Sequence, residues 1–171
     1  MKIFVTILAC LLLSGCGGKP VLETVADELV QPVMKAEYCP IFTLPKEAAV
    51  TTMESADAGT LYFCDGYTVT LRTLPAGDLN KTIYDATGFS GENLTLVKTD
   101  SEGFDRVQCA WSTASEEGEQ VGRLTLLDDG VSHHVLTCMT SAEDASKLSS
   151  QVQQLMDSFR LVAPDALNTG S

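Results

Sequence analysis

Basic charge and histidine are scarce in this chain. Eleven Lys and Arg stand against 23 Asp and Glu, a formal net charge of −12. A surface of that sign repels nucleic acid and anionic lipid headgroups, so nucleic acid is not an expected partner. The surplus acid reads instead as a solvated surface that resists association. The two histidines, His133 and His134, are neighbours. Neighbouring side chains on a strand point to opposite faces, so the pair cannot readily serve one metal or one proton-transfer site. No C-x-x-C, H-E-x-x-H, P-loop or dinucleotide fingerprint occurs, which removes the redox pair, zinc knuckle, metalloprotease and nucleotide-binding classes. Gly88-Phe89-Ser90-Gly91 is one residue short of the G-x-S-x-G elbow and follows a predicted helix, where the elbow needs a strand before it. The acidic stretches at 100–105, 116–119 and 128–130 lack the D-x-[DN]-x-[DN]-G order of a calcium loop. No catalytic residue, cofactor or metal is expected. Nor does the leading apolar run, residues 3–13, have the length of a permanent membrane span.

That run has a different meaning. Lys2 precedes it and small residues follow it before Cys16, the order of a secretory signal peptide. Leu13-Ser14-Gly15-Cys16 resembles a bacterial lipobox. The resemblance implies cleavage before Cys16, removal of residues 1–15, and thioether-linked diacylation of Cys16, often with a further acyl chain such as palmitate on the new amino terminus. Each buried CH2 contributes about 0.8 kcal/mol, and two chains give stable anchoring. The expected address is the extracytoplasmic face of a bacterial cell membrane, with inner and outer membrane both open.

Without its leader the chain is the size of one domain with a tether. At 44% apolar and 20% charged residues it has the composition of a globular protein. Of six cysteines, Cys10 lies in the leader and Cys16 in the lipobox, leaving Cys39, Cys64, Cys109 and Cys138. An even number in an exported chain argues for two disulfides, for which three pairings exist. Cys39–Cys64 with Cys109–Cys138 is the default, because each closes a short loop. Against it, a meander over 105–139 would set Cys109 and Cys138 two strand spacings apart, beyond ordinary disulfide reach.

Along the chain, residues 16–37 read as a tether. Within it Leu22, Val25, Leu29 and Val33 recur at helical spacing, limited by Pro32. Residues 38–44 form a first strand, with Pro40 pointing to a sheet edge, and 46–58 a loop. Asp65-Gly66 between two β-rich runs marks a tight hairpin, with φ > 0 expected at both turn residues. In its second arm Tyr67, Val69, Leu71 and Thr73 share one face. Asp78 caps a short helix carrying Leu79, Ile83 and Ala86 and ending near Gly88. A strand over 93–98 leads into three meander strands over 105–113, 120–128 and 131–139. Trp111 is a core residue. Ser141, with Asp144 three residues on, caps a helix bearing Leu148, Val152, Leu155, Met156 and Phe159 on one face. Leu161-Val162 adds a short strand before a disordered tail over 163–171.

Phe42-Thr43-Leu44-Pro45, the helix over 77–88, and the ending from His134-Val135-Leu136-Thr137-Cys138 to Ser158-Phe159-Arg160 together resemble the PsbP-like superfamily, in particular envelope lipoproteins of the DcrB type. The resemblance covers about residues 38–162. It implies an α+β domain with a single antiparallel sheet carrying helices on its faces. It also implies a non-enzymatic binding or scaffold module that supports envelope or membrane-protein complexes, its protein partner unnamed. The alternative it leaves open is a carrier holding an apolar small molecule or lipid between sheet and helix. The four cysteines and the tether helix depart from that pattern.

Overall fold

In a computed structural model, the described residues are 38–52, 59–116 and 118–164. The leader, Cys16, the tether with its helix, and the tail from 165 onward lie outside them. The expected hairpin is β3 (Gly59–Cys64) and β4 (Tyr67–Pro75), preceded by β1 (Cys39–Ile41) and β2 (Ala49–Thr52). Then follow α1 (Leu79–Thr87), a 3-10 turn (Gly91–Asn93), β5 (Val97–Ser101), β6 (Phe104–Ser115), β7 (Gly118–Asp128), β8 (Ser132–Ser141), α2 (Ala142–Ser158) and β9 (Arg160–Val162). A seven-stranded antiparallel sheet runs in the order β2-β3-β4-β8-β7-β6-β5. The last three hairpin-linked strands therefore fold back so that β8 seals against β4.

Both helices begin, and α1 ends, where local chemistry dictates. Asp78 accepts hydrogen bonds from the N–H groups of Asn80 and Lys81, and Gly88 closes α1 in the left-handed region at φ 78°. Ser141 Oγ accepts from the N–H of Asp144 at the start of α2. Their apolar stripes pack on opposite faces of the sheet, as the strand alternation requires. On one face Tyr67, Val69, Leu127, Leu136 and Cys138 meet Val152, Leu155 and Met156 of α2, with Phe159 and Leu161. On the other, Val107, Cys109, Trp111, Leu124, Leu126 and Val135 meet Ile83 of α1.

The architecture corrects four expectations. The sheet is not single: β1 pairs only with β9, in a separate two-stranded ribbon. Pro40 has no N–H to give a ladder, and Tyr38, Phe42 and Leu44 around it pack on the α2-face core beside Phe159 and Leu161. Part of the expected loop is a strand. β2 forms the sheet edge along β3, and with Val50 59% exposed it carries no hydrophobic alternation to announce it. The strand expected over 93–98 lies later, at β5, because Ser90 Oγ caps the 3-10 turn at its place. Finally, only Gly66 of the Asp65-Gly66 turn has positive φ (81°). Among the described residues, the turn with both residues left-handed is Glu102-Gly103, at 56° and 89°, between β5 and β6.

Candidate functional site

The side chains with chemical potential fall into three places. At one end of the sheet, His133 and His134 are both 2% exposed and face opposite ways, as their positions on β8 demand. His133 Nδ1 lies 2.8 Å from Thr82 Oγ1 of α1, and its Nε2 lies 3.6 Å from Asp128. His134 Nδ1 lies 3.1 Å from Thr73 Oγ1 across the β4–β8 ladder, and its Nε2 lies 3.1 Å from Asp129 Oδ2. Asp129 Oδ1 accepts from the N–H groups of Val131 (2.8 Å) and Ser132 (2.6 Å). Burial alone would raise the Asp129 pKa. The Ser132 and Val131 N–H groups and His134 outweigh it and hold the carboxyl below its usual value. This chain of bonds ties the β7–β8 turn to β4. The structure separates the two histidines, and among the described residues no group of three or more His, Cys, Asp or Glu is placed to hold a metal.

The cysteines are the second place. Cys39, Cys64, Cys109 and Cys138 are all free thiols. Cys109 of β6 faces α1 while Cys138 of β8 faces α2, with β7 between them. Two strand spacings separate their backbones by about 9–10 Å, against a disulfide reach of about 4.4–6.8 Å between Cα atoms. The default Cys109–Cys138 pairing is therefore incompatible with this fold. Burial pushes the Cys109 thiol to about 11 and Cys138 to about 12. Burial also raises Cys64, with its hydrogen bond to Tyr67 opposing.

The third place is a groove of about 460 Å³ on the α2 face, where α2 stops short of the β5 edge. Val97, Gln108, Ala110 and Arg123 form its floor and Gln153 and Met156 of α2 its wall. Arg123 Nη1 donates to Gln153 Oε1 (3.0 Å) and Nη2 to Ser149 Oγ (3.2 Å). A second arginine on the same face, Arg106, is 9% exposed. It donates to the Phe159 carbonyl at 3.2 Å and the Met156 carbonyl at 2.7 Å, closing the C-terminus of α2. Burial lowers its pKa, with Asp157 opposing. Neither arginine stands out by motif. The available signal is alternation: Arg106-x-Gln108 and Arg123-x-Thr125-x-Leu127 put a cation in register with side chains under α2.

Among the described residues no helix is long and apolar enough to cross a membrane. No family model matches the chain, and no curated protein matches it in sequence. Solved structures do match. The solution structure of cyanobacterial PsbP (CyanoP) from Synechocystis sp. PCC 6803 is similar with a TM-score of 0.55 at 10% identity, over 77% of this chain and 96% of that one. A crystal structure from Bacteroides thetaiotaomicron VPI-5482 is similar with a TM-score of 0.50 at 8% identity, over 77% of this chain and 50% of that one. Likeness at such low identity is a likeness of fold, and the fold is PsbP-like.

Proposed function

We propose that the protein is a non-catalytic binding or scaffold module of the DcrB type, anchored through acyl chains on Cys16 to the extracytoplasmic face of a bacterial membrane, where it supports an envelope or membrane-protein complex. The observation that carries this reading is the Leu13-Ser14-Gly15-Cys16 tetrad ahead of a PsbP-like body. Residues of reactive type have visible structural work: His134 bridges Thr73 and Asp129, Ser90 caps a turn and Ser141 a helix. The test is expression of the full chain and of Cys16→Ser in a bacterial host. The wild type should fractionate with membranes, lose residues 1–15 and gain the mass of its acyl chains, and crosslinking in intact cells should recover membrane proteins. Cys16→Ser should leave the membrane fraction. An unprocessed, unacylated wild-type chain would refute the anchor, and crosslinks only to itself would refute the scaffold role.

The groove beside α2 favours a second reading, a carrier of a small amphiphile. Its volume lies within the range of small-ligand sites, and it lies between sheet and helix as such a carrier requires.

A further inference from the structure

The groove holds a cation with no anion. Arg123 has two neutral partners, the Gln153 amide oxygen and the Ser149 hydroxyl. Among the described residues no carboxylate makes an ion pair with it, although acids outnumber bases 23 to 11 in this chain. Arg106 on the same face also has neutral acceptors only, but it is 9% exposed and closed off against two backbone carbonyls, whereas Arg123 lines the groove. Arg123 uses two of its five N–H groups on protein partners, and those two bonds orient the guanidinium on the floor of the groove. Withdrawing a cation partly from water without a counter-charge is unfavourable. A carboxylate or phosphate offers the planar oxygen pair that a guanidinium binds best. The rest of the floor and wall is mixed: Gln108 and Gln153 contribute amides, whose nitrogens donate to Thr125 Oγ1 and Asp157 Oδ1, while Val97 and Ala110 present carbon and Met156, 2% exposed, backs the groove from the core. Val97 is 51% exposed, apolar surface at the groove's outer rim.

We infer that this groove binds an anionic amphiphile, a single acyl or alkyl chain ending in a carboxylate or phosphate, with Arg123 as the headgroup partner and Val97 and Ala110 as the seat of the chain. The inference deepens the carrier reading, on which it rests, by naming the charge of the ligand and the residue that selects it. Arg123 also joins β7 to α2, so ligand entry competes for a guanidinium that already positions the helix wall.

The test uses the full chain in neutral detergent with two diazirine probes of equal length, decanoic acid and decanol, mapped to peptides by mass spectrometry. The acid should label peptides containing Val97 or Ala110, and the alcohol should label them several-fold less. Arg123→Gln should reduce labelling by the acid about tenfold and leave labelling by the alcohol unchanged. Ala110→Trp, which fills the groove beside Arg123, its partner across β6 and β7, and keeps the cation, should reduce both; this second variant covers the case in which Arg123→Gln disturbs the seat of α2. Unlabelled decanoate and decyl phosphate should each displace the acid probe, and inorganic phosphate at the same concentration should not. Equal labelling by both probes, insensitive to Arg123→Gln, would overturn the headgroup assignment while leaving a carrier of apolar molecules standing. Displacement by inorganic phosphate alone would reduce the site to one for a free anion. Absence of groove labelling by either probe would remove the inference and the carrier reading together.

Discussion

Gly122 shows how a single hydrogen atom can be required in a packed sheet. It pairs with Trp111 across β6 and β7, and an added Cβ would stand 2.2 Å from Trp111 Cε2 and 2.8 Å from Met139 Sδ. Gly122→Ala must push the indole out of the α1-face core, at about 1–3 kcal/mol. Chemical denaturation followed by far-UV circular dichroism should show a lowered midpoint, and adding Trp111→Leu should recover part of it, since the two positions couple. Asp129 offers a test by pH. Its native pKa is depressed, so in acid the folded chain binds fewer protons than the unfolded one. Its stabilising contribution is thus present above the unfolded carboxyl pKa of about 3.9 and disappears as pH falls through the lower native value. Asp129→Asn should cost about 1–3 kcal/mol at pH 7 and narrow its deficit as pH drops toward 3. Urea midpoints of the two proteins that stay parallel across that range would contradict the assignment.

Among the elements, α2 depends most on a distant residue. Its start is self-contained, with Ser141 as cap and Glu143 and Asp144 in the first turn, but its last turn has no basic side chain. Arg106 supplies one from β6, donating to the Phe159 carbonyl and to the Met156 carbonyl, which also accepts from the Phe159 N–H, and placing a cation at the negative end of the helix dipole. Arg106→Met should lower stability by about 2–3 kcal/mol, with loss of helical circular dichroism at lower denaturant. Arg106→Lys should restore only part of this, because an ammonium does not span both carbonyls. The strands divide by how much of their burial is periodic. β4 and β6 alternate visibly, whereas β7 and β8, covered on both faces, have unbroken buried runs over 124–127 and 133–136. β5 and the described side chains of β2, at the two sheet edges, include no buried residue with which to alternate, so β2 reads as loop and β5 is misplaced by several residues.

For the whole molecule, a sheet covered on both faces decides what the cysteines can do. An even number of cysteines in an exported chain suggests bridges, but the sheet sends Cys109 and Cys138 to opposite cores. In full chain isolated without reductant, alkylation after denaturation should label both as free thiols. Before denaturation they should react far more slowly than the half-buried Cys39, since burial holds them at about 11 and 12 and the thiolate is the reactive form. Recovery of a Cys109–Cys138 peptide would refute the strand order. The candidate site belongs to this scale as well. The groove exists because α2 covers only part of a seven-stranded sheet, a mismatch of widths that no local pattern records.

By itself, the sequence determined the features settled within a turn or two of chain. These include the caps Asp78, Gly88 and Ser141, the apolar stripes of both helices, the hairpin at Asp65-Gly66 and the alternation that places Trp111 in a core. Each depends on neighbours close along the chain, so their signals are compact. Only the tertiary structure decided that β8 lies against β4, that β1 leaves the sheet to pair with β9, and that Arg106 reaches carbonyls 50 and 53 residues away. It also decided that Arg123 stands in a groove with neutral partners alone. Those outcomes depend on which surfaces remain to be covered once the local elements exist, a competition among distant segments that composition and period do not encode.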